Sequence, residues 1–335
     1  MTRAFKRLSP AILAAALCLA IGLGDCSSGK KGASGLEAAG TSVPEKYYIE
    51  NLRKKDFPGG PVRIVKRLES AGAFDRYLIE YDSGRLNITG MMDVPRGKGP
   101  FPVVVLNHGH YDQKNFSPGL GFRQAADAFA RKGYVAVGSD FRNMGGSDKG
   151  EDFFQHLGSL EDVLRLVDAV KKLPYVDPER IGMWGYSGGG WLTLKSAAIK
   201  PEIKAIAVLG SMSADDRDNY LALQKWHPTA LAEVDRFVGK PGESPEAYAK
   251  LSAKNYLKDV PARVIIHHGA DDKAVPLPWA EKLRDRLRSE GKVVEMYVYE
   301  GQGHVLKGRA WDLSTERTIR FFDRYLTEGL KEPRR

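Results

Sequence analysis

Hydrophobic and polar positions follow two rhythms along the chain. Val62–Leu68, Tyr77–Tyr81 and Leu86–Val94 read as strands of an antiparallel lead-in. Phe101–Leu106 is an almost unbroken apolar run, as expected of a strand buried on both faces. Gln124–Lys132 reads as helix, Tyr134–Gly138 as strand and Leu160–Leu173 as helix, the last with Val163, Leu164, Val167 and Val170 at helical spacing. A strand at Ile181–Tyr186, a helix at Trp191–Ile199 and a strand at Ala205–Leu209 follow. Residues 211–260 interrupt the alternation with polar helical stretches and a Gly-Lys-Pro-Gly turn at 239–242. It resumes with a strand at Ala262–His267, a helix at Trp279–Ser289, a strand at Val293–Tyr299 and a helix at Leu313–Leu326. Strands alternating with helices of this length predict an α/β architecture, a mostly parallel central sheet flanked by helices. Nothing repeats at a fixed period, which excludes propellers and solenoids.

The first 25 residues have a different character. Arg3, Lys6 and Arg7 precede an apolar run from Leu8 to Leu23, the pattern of a secretory signal and too short to span a bilayer comfortably. The run ends Leu23-Gly24-Asp25-Cys26, which resembles a bacterial lipoprotein signal in which Cys26 would be lipidated and become the new N-terminus. Asp25 stands where a small residue is usual, so ordinary cleavage near Gly24 is the alternative. The expected location is outside the cytoplasm: a periplasmic or membrane-anchored lipoprotein, or else a secreted protein. Residues 26–60 read as a flexible tether and lead-in, and 61–335 as the catalytic domain.

Composition narrows the chemistry. Cys18 and Cys26 are the only cysteines, so the folded body has neither disulfides nor a thiolate metal site. The net charge of +9 is spread out, without a basic helix carrying interleaved aromatics, and nucleic acid is not an expected partner. His108 and His110 have no acidic or Cys partner at ligand spacing, and no metal is expected. No nucleotide, flavin or haem motif occurs, and no cofactor is expected.

Gly185-Tyr186-Ser187-Gly188-Gly189 matches G-x-S-x-G and lies between an expected buried strand and an expected helix. A tight strand-to-helix turn there would expose the Ser187 hydroxyl beside a helix N-terminus, the arrangement of an α/β-hydrolase nucleophile. A serine hydroxyl needs a base to take its proton, and in that fold the order is Ser, acid, His. Among His227, His267, His268 and His304, only His304 follows the last strand, in Glu300-Gly301-Gln302-Gly303-His304. The acid should follow the strand before it, where Asp271 and Asp272 are adjacent and point in different directions.

His268-Gly269-Ala270-Asp271-Asp272 with Val275-Pro276 is similar to the H-G-x-x-D-x-x-V-P stretch of prolyl oligopeptidase-type serine peptidases. That resemblance implies Asp272 as the acid. Asp140-Phe141-Arg142-Asn143-Met144-Gly145-Gly146-Ser147 resembles the family's D-x-R-G-x-G-x-S turn, with Asn143 in place of a Gly, and Ser244–Tyr248 and Ser252–Tyr256 are also similar. No stretch of this sequence corresponds to the family's propeller. By the same resemblance the H-G-x turn at His108-Gly109-His110 implies an oxyanion hole from the N–H groups of Gly188 and of His110 or Tyr111, with the Tyr111 phenol as a further candidate.

The implied function is a serine hydrolase that cleaves peptide or ester bonds through an acyl-enzyme, peptidase-like, with short acyl or carbohydrate esters as the alternative. An acyltransferase would keep the same residues, and a non-catalytic binding module would retain only the fold. The expected partner is a small ester or short peptide. The insertion at 212–257 is expected to form a small helical cap, in which Tyr220, Leu221, Leu223, Trp226 and Phe237 either line the site or form the insertion's own core.

Overall fold

The computed structural model describes residues 45–152, 157–226 and 228–328. Its centre is a nine-stranded sheet: β1 (Arg63–Ser70), β2 (Phe74–Ser83), β3 (Leu86–Pro95), β4 (Phe101–Asn107), β5 (Val135–Ser139), β6 (Val176–Tyr186), β7 (Ile203–Leu209), β8 (Arg263–Gly269) and β9 (Val294–Tyr299). The spatial order is β1-β2-β3-β5-β4-β6-β7-β8-β9. β1 to β3 pair antiparallel, as does β3 with β5, and all later pairs are parallel. β4, β5, β7, most of β8 and the second half of β6 are the near-continuous apolar runs, because helices cover both of their faces.

The helices are α1 (Ile49–Arg53), α2 (Arg123–Ala130), α3 (Leu157–Val170), α4 (Gly188–Ile199), α5 (Asp216–Trp226), α6 (Leu231–Phe237), α7 (Pro245–Leu251), α8 (Leu277–Ser289) and α9 (Arg309–Phe322). α2 and α9 pack on one face around Phe122, Phe129, Phe321 and Phe322. α1, α3, α4 and α8 pack on the other, around Leu52, Val163, Leu192 and Leu287. α4 is buried all round and carries the nucleophile turn at its N-terminus, so the site rests on a rigid base.

The structure corrects the sequence reading in one place and decides between two stated alternatives in another. Residues 45–60 are not a simple tether: Tyr47, Ile49, Leu52 and Phe57 are buried, and α1 packs on α4. Its single turn and a half is too short to show periodicity, and tertiary burial stabilises it. Within the insertion, Tyr220 and Leu223 are buried with Val234, Val238 and Tyr248 in the segment's own core, where the Tyr220 hydroxyl donates to Asp235 at 2.7 Å. Leu221 is exposed.

Asn143, which stands where the resembled turn has a Gly, has a left-handed φ of 68°. Asn tolerates that region better than most residues. Its side-chain amide also pairs in both directions with the Gly150 backbone, at 2.9 and 3.0 Å.

Candidate active site

β6 ends at Tyr186, and α4 starts at Gly188 rather than at Trp191, so Ser187 alone makes the turn. Its φ of 56° and ψ of −120° are strained for a residue with a Cβ. Neighbouring backbone holds it there. Ser187 N–H donates to the Leu209 carbonyl at 2.9 Å, and its own carbonyl accepts from Gly190 and Met212 at 3.0 and 3.2 Å. Gly189 cannot be replaced by a larger residue, since a Cβ there would collide with the Asn107 carbonyl oxygen.

The His304 imidazole reaches Ser187 from the loop after β9. Its Nε2 lies 3.0 Å from Ser187 Oγ and its Nδ1 lies 2.8 Å from Asp272 Oδ2. Asp272 Oδ1 accepts from the N–H groups of Ala274 and Val275 at 2.9 and 2.8 Å. Burial opposes ionisation of this carboxyl, but the hydrogen bonds from His304 and Val275 outweigh it and hold Asp272 below the usual carboxylate range. Asp272 is therefore anionic and pinned, which favours the Nδ1–H tautomer and leaves Nε2 free to accept the serine proton. Asp271, by contrast, is exposed, and its backbone N–H is tied to the Gln302 carbonyl at 2.9 Å.

The other histidines take different places. His268 lies buried under the acid turn, where Nε2 donates to the Val275 carbonyl at 3.0 Å. His267 faces the opposite way, between Tyr299 and Thr318. His108 is buried, stacked on Phe141 with its ring nitrogens toward the Gly109 and Asp140 carbonyls. His227 lies outside the described residues, as do Cys18 and Cys26.

On the oxyanion side, Gly188 opens α4, so its N–H belongs to the first turn, which has no helical acceptor. The His108-Gly109-His110-Tyr111 turn passes close by: a Cβ at Gly109 would lie 3.0 Å from Ser187 Cβ. His110 is exposed, whereas the Tyr111 ring is half-buried and packs over Gly121. A contribution not recognised in the sequence comes from Gly210, at φ 47°. A Cβ there would lie 3.2 Å from His304 Nδ1 and 3.4 Å from Asp272 Oδ2, within the space the relay occupies. Its place at the tip of a parallel strand next to the nucleophile strand was the available signal.

A cavity of about 360 Å³ opens beside His304, bounded by Tyr111, Tyr186, Trp184, Leu306 and Trp311 among others. None of residues 212–257 lines it. Burial raises both phenols above their ordinary value, Tyr186 further with Tyr111 and Asp272 nearby, so both are neutral donors.

The sheet order and the turn that presents Ser187 define an α/β-hydrolase fold. A model of the prolyl oligopeptidase family matches residues 120–329, and the chain belongs to that family. It is 24% identical over 300 residues to the uncharacterized peptidase YuxL of Bacillus subtilis, a match covering 79% of this chain and 43% of that protein. The chain spans about half the length of the first curated relatives it matches. Pyrococcus horikoshii acylaminoacyl peptidase superposes with a TM-score of 0.64 at 23% identity, over 78% of this chain and 43% of that one. Acetyl xylan esterase 1 from Thermoanaerobacterium sp. JW/SL YS485 does so with a TM-score of 0.61 at 20% identity, over 84% of this chain and 95% of that one. At these identities the superpositions speak for the fold alone. That family is one of serine hydrolases.

Proposed function

We propose that this protein hydrolyses peptide bonds of small substrates, with Ser187 as nucleophile, His304 as general base and acid, and Asp272 as the orienting carboxylate. The observation that carries this reading is the unbroken relay Ser187–His304–Asp272, at 3.0 and 2.8 Å. Ser187 Oγ attacks the substrate carbonyl carbon while its proton passes to His304 Nε2. The C–N bond then breaks as Nε2–H protonates the departing amine, leaving an acyl ester on Ser187. Water, deprotonated by Nε2, releases the acid and restores the serine. The N–H groups of Gly188 and of His110 or Tyr111 stabilise the oxyanion in both steps, each worth roughly 3 kcal/mol in well-built sites.

Hydrolysis of short acyl esters is the second reading. It is favoured by the match of almost the whole length of a compact acetyl xylan esterase to this chain, and it uses the same residues. A fluorophosphonate probe is expected to label one residue, and Ser187→Ala to abolish both labelling and turnover. Asp272→Asn should lower kcat by about 10⁴-fold, because the imidazole loses its tautomer and charge partner, while Asp271→Asn stays within a few-fold of the parent. Labelling that persists in Ser187→Ala, or equal losses from the two aspartates, overturns the assignment.

We further propose that the protein is exported and held at a membrane through a lipid on Cys26. This rests on the basic start, the apolar run from Leu8 to Leu23 and the Leu23-Gly24-Asp25-Cys26 end.

A further inference from the structure

The cavity beside His304 has an uneven lining. Trp184, Leu209, Leu306 and Trp311 make its walls apolar. Apart from the imidazole, one ionisable side chain of ordinarily full charge borders it: Arg123, the first residue of α2, exposed at the rim. Its guanidinium is anchored but not neutralised. Nη2 donates to the Pro118 carbonyl at 2.8 Å, and Nε lies against Gly119, where a Cβ would be 3.5 Å away. Among the described residues no carboxylate pairs with it; the nearby Asp127 is engaged with Arg131.

The position of this cavity identifies which half of a substrate it holds. It is bordered by His304 and by Trp184 and Tyr186, which precede the nucleophile; of the oxyanion candidates only Tyr111 touches its edge, and Gly188 and Gly189 do not line it. Nε2 must hand its proton to the departing atom, so a cavity against the imidazole receives the leaving group. Its volume of about 360 Å³ is near the lower end of small-ligand pockets, roughly 300–1,000 Å³, enough for one aromatic or branched apolar group.

We propose that Arg123 is a specificity-determining residue that binds a carboxylate on the leaving group. The preferred substrate then releases an apolar group bearing a carboxylate, as the C-terminal residue of a short peptide does. The side chain of that residue fills the space between Trp184, Leu306 and Trp311, its amine departs with the proton from His304, and its carboxylate meets the guanidinium fork. This inference rests on the hydrolase reading above and adds the substrate class.

The test compares 4-acetoxyphenylacetate with 4-acetoxyphenylacetamide, whose leaving phenols differ in a remote charge, and N-acetyl-Ala-Phe with its C-terminal amide. Each is hydrolysed by the full chain and by Arg123→Gln and Arg123→Lys. The parent should prefer the carboxylate member of each cleaved pair. Arg123→Gln should reduce that preference by about tenfold or more in kcat/KM, mainly through KM, with Arg123→Lys between the two, since charge-assisted pairs to arginine are roughly twice as strong as neutral ones. Probe labelling of Ser187 should persist in both variants, which shows that they fold and keep the nucleophile activated. Equal rates on the two members of a pair in the parent, or a preference that survives Arg123→Gln, overturn the proposal while leaving the hydrolase reading intact. Absence of probe labelling and of all turnover in the parent removes the hydrolase reading, and this proposal with it.

Discussion

At the scale of single residues, strain and burial are concentrated where the chemistry is. Ser187 occupies a backbone conformation that costs about 1–3 kcal/mol for a non-glycine residue, and it persists because three backbone hydrogen bonds pin it. His267 shows a different compromise two strands away. The Tyr299 hydroxyl, which accepts from Arg317 at 3.3 Å, can donate to His267 Nδ1 at 2.8 Å. Thr318 Oγ1, which donates to the Ser314 carbonyl, accepts from His267 Nε2 at 3.0 Å. The neutral ring is thereby satisfied on both sides. Complete burial, with Arg317 nearby, lowers its pKa from 6.5 to about 3. The folded state thus binds fewer protons than the unfolded state between these values, so the stability His267 contributes is full above pH 6.5 and is lost as pH falls toward 3. His267→Gln, which keeps both hydrogen-bonding functions but cannot charge, should flatten the acid limb by up to about 1.4 kcal/mol per pH unit. Urea midpoints followed from pH 7 to pH 4 measure this, and parallel curves for parent and variant would refute it.

At the scale of elements, α4 is the hub. It carries the nucleophile turn, packs against α1, and is fastened to the insertion by a buried ion pair. Lys195 on α4, 1% exposed, donates to Asp216 of α5 at 2.7 Å and also reaches the Leu251 carbonyl at the end of α7. Asp216 accepts in addition from Trp191 Nε1 at 2.5 Å, and its N–H donates to Ser252 Oγ. Both ends of the insertion are therefore clasped to one helix. Removing one partner strands a buried charge, so Asp216→Ala is expected to lower stability by about 3–5 kcal/mol. The double variant Lys195→Met/Asp216→Ala should recover part of that loss, because no unpaired charge remains. Denaturant unfolding of the single and double variants gives the coupling, and a single-variant loss below about 1 kcal/mol would show that the pair is not the fastening.

At the scale of the whole molecule, the fold leaves its catalytic face open on the side of α2 and α9, where the cavity lies, while the insertion packs on the opposite layer. Among the described residues no helix is long and apolar enough to cross a membrane. The proposed membrane attachment depends on Cys26, so the full chain is expected to partition into the detergent phase on Triton X-114 separation, and Cys26→Ser to move to the aqueous phase or remain unprocessed. A Cys26→Ser variant processed and partitioned like the parent would eliminate the lipid anchor and leave ordinary export.

What the sequence alone determined were features written in local order. Buried strands announce themselves as apolar runs, helices as three-to-four spacing, and the hydrolase turn as glycines around Ser187. The order serine, acid, histidine along the chain singled out His304 as the base, and the resemblance of the stretch around Gly269 to prolyl oligopeptidase-type peptidases implied Asp272 over Asp271. Tertiary structure decided whatever depends on neighbours remote in the chain. It docked α1, whose five residues have too little periodicity to be read. It turned Tyr220 and Leu223 into the insertion's own core, since an apolar residue carries no mark of which apolar surface will cover it. It set Gly210 against the relay and placed Arg123 on the cavity that His304 borders, because assembling a parallel sheet brings strand tips and loops together whose separation along the chain is large.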